Sequence, residues 1–243
     1  MNMSLRATLA AALLGALAVP ALSADLPVRV DAPAPAPVVF DSYHPWMVRV
    51  RAIGVLPVSS ASVNLNGAPL AGANLRVSNS VVPEVDISYF FTKNIAVEAI
   101  CCISPHTIRS AGAIAGLGKV GSTVVFPPTV LLQYHFTGLG AFKPYVGVGV
   151  NYTHYFRDSS GANFANLRIN DSWGVAGQVG FDYMLNDNWG INVDVKKIMM
   201  QPSARVVLLP NNNVTAKVKI DPWVVGVGLT YRFGGGSTVV AKY

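Results

Sequence analysis

Trp223-Val-Val-Gly-Val-Gly-Leu-Thr-Tyr-Arg-Phe233 alternates along its whole length. Trp223, Val225, Val227, Leu229, Tyr231 and Phe233 fall on one side, and Gly226, Gly228, Thr230 and Arg232 on the other. A period of two is the signature of a β-strand with one apolar face. The same period recurs upstream. In 46–55, Trp46, Val48, Val50 and Ala52 oppose Arg49 and Arg51. In 81–91, Val81, Val85, Ile87, Tyr89 and Phe91 oppose Glu84, Asp86 and Ser88, and in 95–103 Ile95, Val97, Ala99 and Cys101 oppose Glu98 and Ile100. Val130, Leu132, Tyr134 and Phe136 face away from Thr129, Gln133 and His135. In 145–156 the valines at 146, 148 and 150 alternate with Gly147, Gly149 and Asn151. Trp173, Val175, Val179, Phe181 and Tyr183 oppose Ser172, Gln178 and Asp182, and Trp189, Ile191, Val193 and Val195 oppose Asn192, Asp194 and Lys196. The runs number eight, an even count as bacterial membrane barrels require.

Alternation by itself also fits a soluble barrel with its apolar face inward. Three features turn that face toward lipid. Aromatic residues gather near the ends of the runs, as an interfacial girdle demands. Whole charges sit mid-run on the polar face, where hydrocarbon would cost a basic residue about 2–4 kcal/mol at the midplane but a polar lumen lets them pair. Glycine falls on the polar face, where a narrow interior has little room. The connections alternate too: short at 92–94, 138–144 and 185–188, long at 57–80, 104–123, 157–170 and 199–217. The expected fold is all-β, an eight-stranded antiparallel transmembrane barrel with short periplasmic turns and long extracellular loops.

Composition agrees. The 243 residues are 51% hydrophobic and only 12% charged, with mean hydropathy +0.41, whereas a soluble domain carries about 25% charge. Beyond the N-terminus no apolar run approaches the roughly 20 residues of a spanning helix. Residues 1–24 read as a signal peptide, with Arg6 ahead of an apolar core at 7–19 and small residues for cleavage after Ser23 or Ala24. Arg6 is its single charge, so removal takes the formal net charge from +6 to +5. That mild basicity has no clustered run and gives no support for nucleic-acid binding. Residues 25–45 are rich in proline and alanine, read as an extended periplasmic segment; 46–233 form the barrel and 234–243 a tail. Cys101 and Cys102 are adjacent, their Cα atoms about 3.8 Å apart against the usual disulfide range of about 4.4–6.8 Å. They read as small strand hydrophobes.

Several motifs carry a family resemblance: Trp46-Met-Val-Arg-Val-Arg-Ala52, Tyr89-Phe-Phe-Thr-Lys-Asn-Ile-Ala-Val-Glu98, Phe126-Pro-Pro-Thr129 with Gln133-Tyr-His-Phe136, Lys143-Pro-Tyr-Val-Gly-Val-Gly-Val-Asn-Tyr-Thr153, Asp171-Ser-Trp-Gly174 with Gly177-Gln-Val-Gly180, and Asp221-Pro-Trp223 with Tyr231-Arg-Phe233. As an ordered set they resemble the OmpW family of small outer-membrane barrels. The resemblance implies a narrow, largely apolar lumen that passes or binds small hydrophobic molecules; some members serve as phage or bacteriocin receptors. It also implies residence in a Gram-negative outer membrane, with lipid, lipopolysaccharide and the barrel-assembly machinery as partners. Two departures stand out. Of the two positions where relatives pinch the lumen with bulky apolar side chains, Ile100 keeps that character and Lys196 does not. The chain also continues past the aromatic residue matching Phe233, so either Tyr231-Arg-Phe233 is the assembly signal followed by a tail, or Tyr243 takes that role.

The candidate lumen-lining residues are Met47, Arg49, Arg51, Glu84, Asp86, Glu98, Ile100, Leu131, Gln133, His135, Asp194 and Lys196. Met47, Ile53, Ile100, Leu131 and Val224 would supply an apolar path between polar layers. His135 with nearby carboxylates raises a lipid-modifying enzyme as one reading, but no Ser–His–acid order is visible; a lumen hydrogen-bond network is the stronger one. His106, in Ser104-Pro-His-Thr107, reads as a loop anchor, because no second ligand lies at zinc-like spacing. Gly147 and Gly149 precede no helix, so a nucleotide loop fails its context. No catalytic residue, cofactor or metal is expected. The leading function is passage or binding of small, mainly hydrophobic solutes; the alternative is a surface-recognition barrel with a plugged lumen, contacting phage, bacteriocin or host.

Overall fold

The computed structural model describes residues 43–235. The expected signal peptide, most of the proline-rich segment and residues 236–243 of the tail lie outside the described residues. In chain order the strands are β1 (Trp46–Leu56), β2 (Ser59–Leu65), β3 (Ala68–Pro69), β4 (Ala73–Val77), β5 (Ser80–Phe90), β6 (Ile95–Cys102), β7 (Ser104–Gly112) and β8 (Lys119–Phe126). There follow β9 (Thr129–His135), β10 (Phe142–Ser160), β11 (Phe164–Ile169), β12 (Ser172–Met184), β13 (Trp189–Met200), β14 (Ser203–Leu208), β15 (Asn212–Ile220) and β16 (Trp223–Phe233). One short 3-10 turn, Ala115–Leu117, precedes β8.

Eight of these close into a ring. β1 pairs with β5, β5 with β6, β6 with β9, β9 with β10, β10 with β12, β12 with β13, β13 with β16, and β16 returns to β1. Every ladder is antiparallel, and closure leaves no open edge in the wall. The pleat turns the valines outward: Val148 is 65% exposed and Val227 55%, while Arg49 between Val48 and Val50 is fully buried. Trp46 stacks edge-on with Tyr89 at 4.8 Å and Trp189 packs on Tyr231 at 4.6 Å, making an aromatic rim at the short-turn end. Tyr152, Trp173 and Trp223 mark the other end. From Trp46 to Leu56, opposite Trp223, the strand advances ten residues, roughly 33 Å at about 3.3 Å per residue. A tilt of about 40° projects this to about 25 Å, the height of an outer-membrane apolar band.

The long connections differ from simple loops. They carry β2, β3, β4, β7, β8, the outer part of β10, β11, β14 and β15, which pair among themselves beyond the aromatic level. Prolines mark the junction: Pro57, Pro127, Pro202 and Pro222 each fall just outside a strand. Lacking an N–H, proline is disfavoured where a ladder continues on both sides. Between Ile100↔Thr129 and Ser104↔Val125 no partners are in register, so the wall is thin around Pro127 and Pro128.

Candidate functional site

All eight barrel strands send polar side chains to one central belt. Arg49 of β1 grips Asp182 of β12 through two bonds, Nε–Oδ1 at 3.1 Å and Nη2–Oδ2 at 2.7 Å, and reaches Glu98 of β6 at 2.8 Å. Arg51 bonds Glu84 of β5 at 2.9 Å, Asn192 of β13 at 3.0 Å, and Asp86. Lys196 holds Glu84 and Asp194, each at 2.7 Å. Gln133 of β9 and Gln178 of β12 both donate to Glu98 Oε2, at 2.8 and 2.9 Å. The Tyr145 hydroxyl of β10 donates to Asp194 at 2.9 Å, and Thr230 of β16 to Asp182 at 2.6 Å. These groups are at most 3% exposed.

The belt is a plug. Each charge buried alone would cost several kcal/mol; forked arginines and shared carboxylates offset this by placing opposite charge and hydrogen bonds at nearly every polar atom. Glycine makes the room. A Cβ at Gly147 would lie 2.9 Å from Gln178 Oε1, and one at Gly180 would lie 2.6 Å from the Tyr145 hydroxyl. At the short-turn end of the belt His135 bonds Gln133 at 3.0 Å and stacks on Tyr145 at 4.9 Å.

Above the belt lies an apolar floor of Ile53, Val82, Ile100, Leu131, Ala176, Ile198 and Val224. Past the floor the interior opens into a chamber of about 290 Å³, bounded by strands of the long connections and lined by Val63, Leu75, Ile108, Phe164, Leu167 and Val218 among others. Its few polar walls include Ser104, His106 and Thr123, with Glu84 and Lys196 below. His106 Nδ1 lies 2.8 Å from the Ser78 carbonyl, which can only accept; Nδ1 therefore carries the proton and Nε2 accepts from the Ser104 hydroxyl at 2.8 Å. Burial holds its pKa below the ordinary 6.5, the Ser78 bond partly opposing. The ring thus ties β7 to the segment before β5.

Of the residues singled out from sequence, Arg49, Arg51, Glu84, Asp86, Glu98, Gln133, His135, Asp194 and Lys196 meet in the belt. Ile100 and Leu131 belong to the floor. Met47 lies apart, packed with Phe90 and Ala96 at the short-turn end, so the belt separates it from the other apolar candidates. Asp182, Gln178, Asn192, Tyr145 and Thr230 were missing from the set. Asp182, Gln178, Asn192 and Thr230 already stood on the polar face of their runs, and Tyr145 shares the inward register of Gly147. Of the chamber lining, Ile53, Glu84, Ile100, Lys196 and Val224 at its base were named from sequence, whereas the walls above them come from stretches read as loops. Cys101 is exposed and Cys102 half-buried, both as free thiols.

Residues 45–233 match the model of the OmpW family. The chain belongs to the OmpW family. An uncharacterised outer-membrane protein y4mB of Sinorhizobium fredii is 47% identical over 192 residues, covering 78% of this chain and 80% of that protein. The dibenzothiophene metabolism operon protein PahQ of Pseudomonas aeruginosa is 32% identical over 193 residues, covering 78% of this chain and 89% of the relative. Among solved structures, the outer membrane protein OprG from Pseudomonas aeruginosa superposes with TM-score 0.74 at 31% identity, over 80% of this chain and 98% of that one. As an OmpW-family barrel the chain resides in the outer membrane of a Gram-negative bacterium, its girdle in contact with outer-membrane lipid.

Proposed function

We propose that this barrel takes up small apolar solutes from outside the cell into the chamber above the polar belt. The observation that carries this reading is the cavity itself: about 290 Å³, walled by aliphatic and aromatic side chains and standing on a layer of ion pairs. Transfer of a hydrocarbon solute from water to such a wall is favourable by roughly 25 cal/mol per Å². A path straight down is not, since it would break buried charge pairs without replacing them. The apolar phase bordering the chamber is the bilayer, and the wall is thinnest beside Cys102 and Pro127, where ladder bonds lapse. Onward movement into hydrocarbon through that stretch is the route favoured here. A relative named for a dibenzothiophene metabolism operon fits a solute class of this polarity.

The remaining parts follow from this reading. Residues 1–24 direct export, 25–45 lie in the periplasm, and the assembly machinery inserts the 46–233 barrel. This reading needs no catalysis: His135 Nε2 bonds Gln133 while its Nδ1 is buried without a partner among the described residues, and both ring nitrogens of His106 are taken up in strand anchoring.

Binding of a neutral naphthyl fluorophore to the purified barrel, together with its uptake by whole cells, tests the proposal. Ile108→Asp places a charge in the chamber and should weaken binding at least tenfold, whereas Val148→Ala on the lipid face should leave it unchanged. Pro127→Ala with Pro128→Ala restores two N–H donors to the wall; it should slow uptake while binding persists. Equal binding by wild type and Ile108→Asp would remove the chamber from the account.

A second reading, a plugged recognition barrel, is favoured by the belt alone. An unaltered uptake rate on deletion of the protein, with phage or bacteriocin sensitivity lost, would select it.

A further inference from the structure

The stretches between barrel strands, residues 57–79, 103–128, 153–171 and 201–222, contain eight lysines and arginines and three aspartates. The aspartates are largely occupied. Asp158 accepts from Thr123 at 2.6 Å and from the Ile169 amide at 3.1 Å, Asp171 binds Tyr152 and His154, and Asp221 faces Lys219 at 3.4 Å. Five of the bases form registered rows. Arg76 of β4 stands directly opposite Arg109 of β7, which stands opposite Lys119 of β8. Arg168 of β11 stands opposite Arg205 of β14. All five side chains are exposed on the outer face, and none has an ion-pair partner among the described residues.

Like charges placed directly across a ladder destabilise it. Random surface charge would rarely put three in line and two more in a second line, with no aspartate in either row. The height matters as well. Arg109 lies seven residues beyond Cys102, the end of β6, and Arg205 five beyond Met200, the end of β13. At about 3.3 Å per residue these are roughly 23 and 16 Å along tilted strands, just above the hydrocarbon. In an outer leaflet that layer holds the phosphorylated sugars of lipopolysaccharide. Guanidinium forks match phosphate oxygens in pairs, and a bound polyanion would relieve the repulsion within each row.

We propose that Arg76–Arg109–Lys119 and Arg168–Arg205 form a docking surface for the phosphate groups of outer-leaflet lipopolysaccharide. The surface faces away from the chamber and is independent of what the chamber binds.

The test uses the full mature chain folded in nanodiscs of zwitterionic lipid, titrated with purified lipopolysaccharide at moderate salt. Two variants are compared, Arg76→Ser/Arg109→Ser/Lys119→Ser and Arg168→Ser/Arg205→Ser. Each should weaken lipopolysaccharide binding at least tenfold and flatten its salt dependence. Naphthyl-probe binding should stay at the wild-type level, and thermal stability without lipopolysaccharide should be equal or higher. Enzymatically dephosphorylated lipopolysaccharide should bind wild type as weakly as intact material binds the variants. The proposal is overturned if the variants bind intact lipopolysaccharide like wild type. It is also overturned if dephosphorylation has no effect, or if phosphatidylglycerol or inorganic phosphate competes as well as lipopolysaccharide does. The last two arms need no variant, so misfolding of either protein cannot shelter the idea.

Discussion

Along β1 the outward positions are Trp46, Val48, Val50 and Ala52, and the inward ones Met47, Arg49, Arg51 and Ile53. Beyond Pro57, on β2, the same outward parity carries Ser60, Ser62 and Asn64, and the inward parity Ala61, Val63 and Leu65. The inside face stays inside while its chemistry inverts. In the barrel, hydrocarbon lies outside and hydrogen-bonding groups pair within; in the extension, water lies outside and apolar side chains pack within. Strand geometry is common to both regions, so the surrounding solvent alone decides which residue type each face takes. A chamber for apolar solute exists because the extension obeys the water rule. The plug beneath it exists because the barrel obeys the lipid rule.

The largest break in this contrast should come from the belt. Asp182→Ala strips Arg49 of its forked partner and leaves the Thr230 hydroxyl without its acceptor, while Asn192 keeps the Tyr145 hydroxyl and the Phe181 carbonyl. A buried pair broken on one side costs about 3–5 kcal/mol, measured as a lowered urea midpoint for unfolding from lipid vesicles. A destabilisation under 1 kcal/mol would mean that water fills the lumen and screens the charges.

One substitution made twice sharpens the comparison. Lysine at Val148, mid-barrel and outward, should cost about 2–4 kcal/mol. Lysine at Asn213, outward on β15, should fall within about 0.5 kcal/mol of wild type. Equal costs at the two sites would place both in the same medium.

The smallest effect is a pH response confined to the extension. Because the folded pKa of His106 lies below 6.5, its neutral ring contributes full stability above that value. The contribution is lost as pH falls from 6.5 through the folded pKa. Amide protection factors at Ser78 and Thr107, which bond each other across this junction, should fall a few-fold below pH 6, and His106→Gln should flatten the profile. Barrel amides such as Val148 should show no such change.

This contrast also explains what the sequence could reveal. The barrel strands were legible because arginine, aspartate and glutamate alternate with valine and aromatics, a pattern that little besides a polar lumen against lipid can accommodate. Arg49, Glu98 and Lys196 followed from parity alone. In the extension the alternation is as regular but muted: Ser59-Ser-Ala-Ser-Val-Asn-Leu65 sets serine against alanine and valine, and glycines at 112, 116 and 118 punctuate the next arm. Weak contrast reads as loop, so the chamber had no strands to be built on. Tyr145 escaped for a different reason: an aromatic residue at polar parity looks like a girdle residue until its hydroxyl is seen donating to Asp194.

Nitroxide scanning of residues 46–65, in a background lacking Cys101 and Cys102, tests the inversion most directly in native-like bilayers. Collision with oxygen should dominate at Val48, Val50 and Ala52, and collision with an aqueous nickel chelate at Ser60, Ser62 and Asn64, with Val63 and Leu65 shielded from the chelate. An oxygen-rich outward face persisting to Asn64, or free chelate access at Val63, would contradict the account.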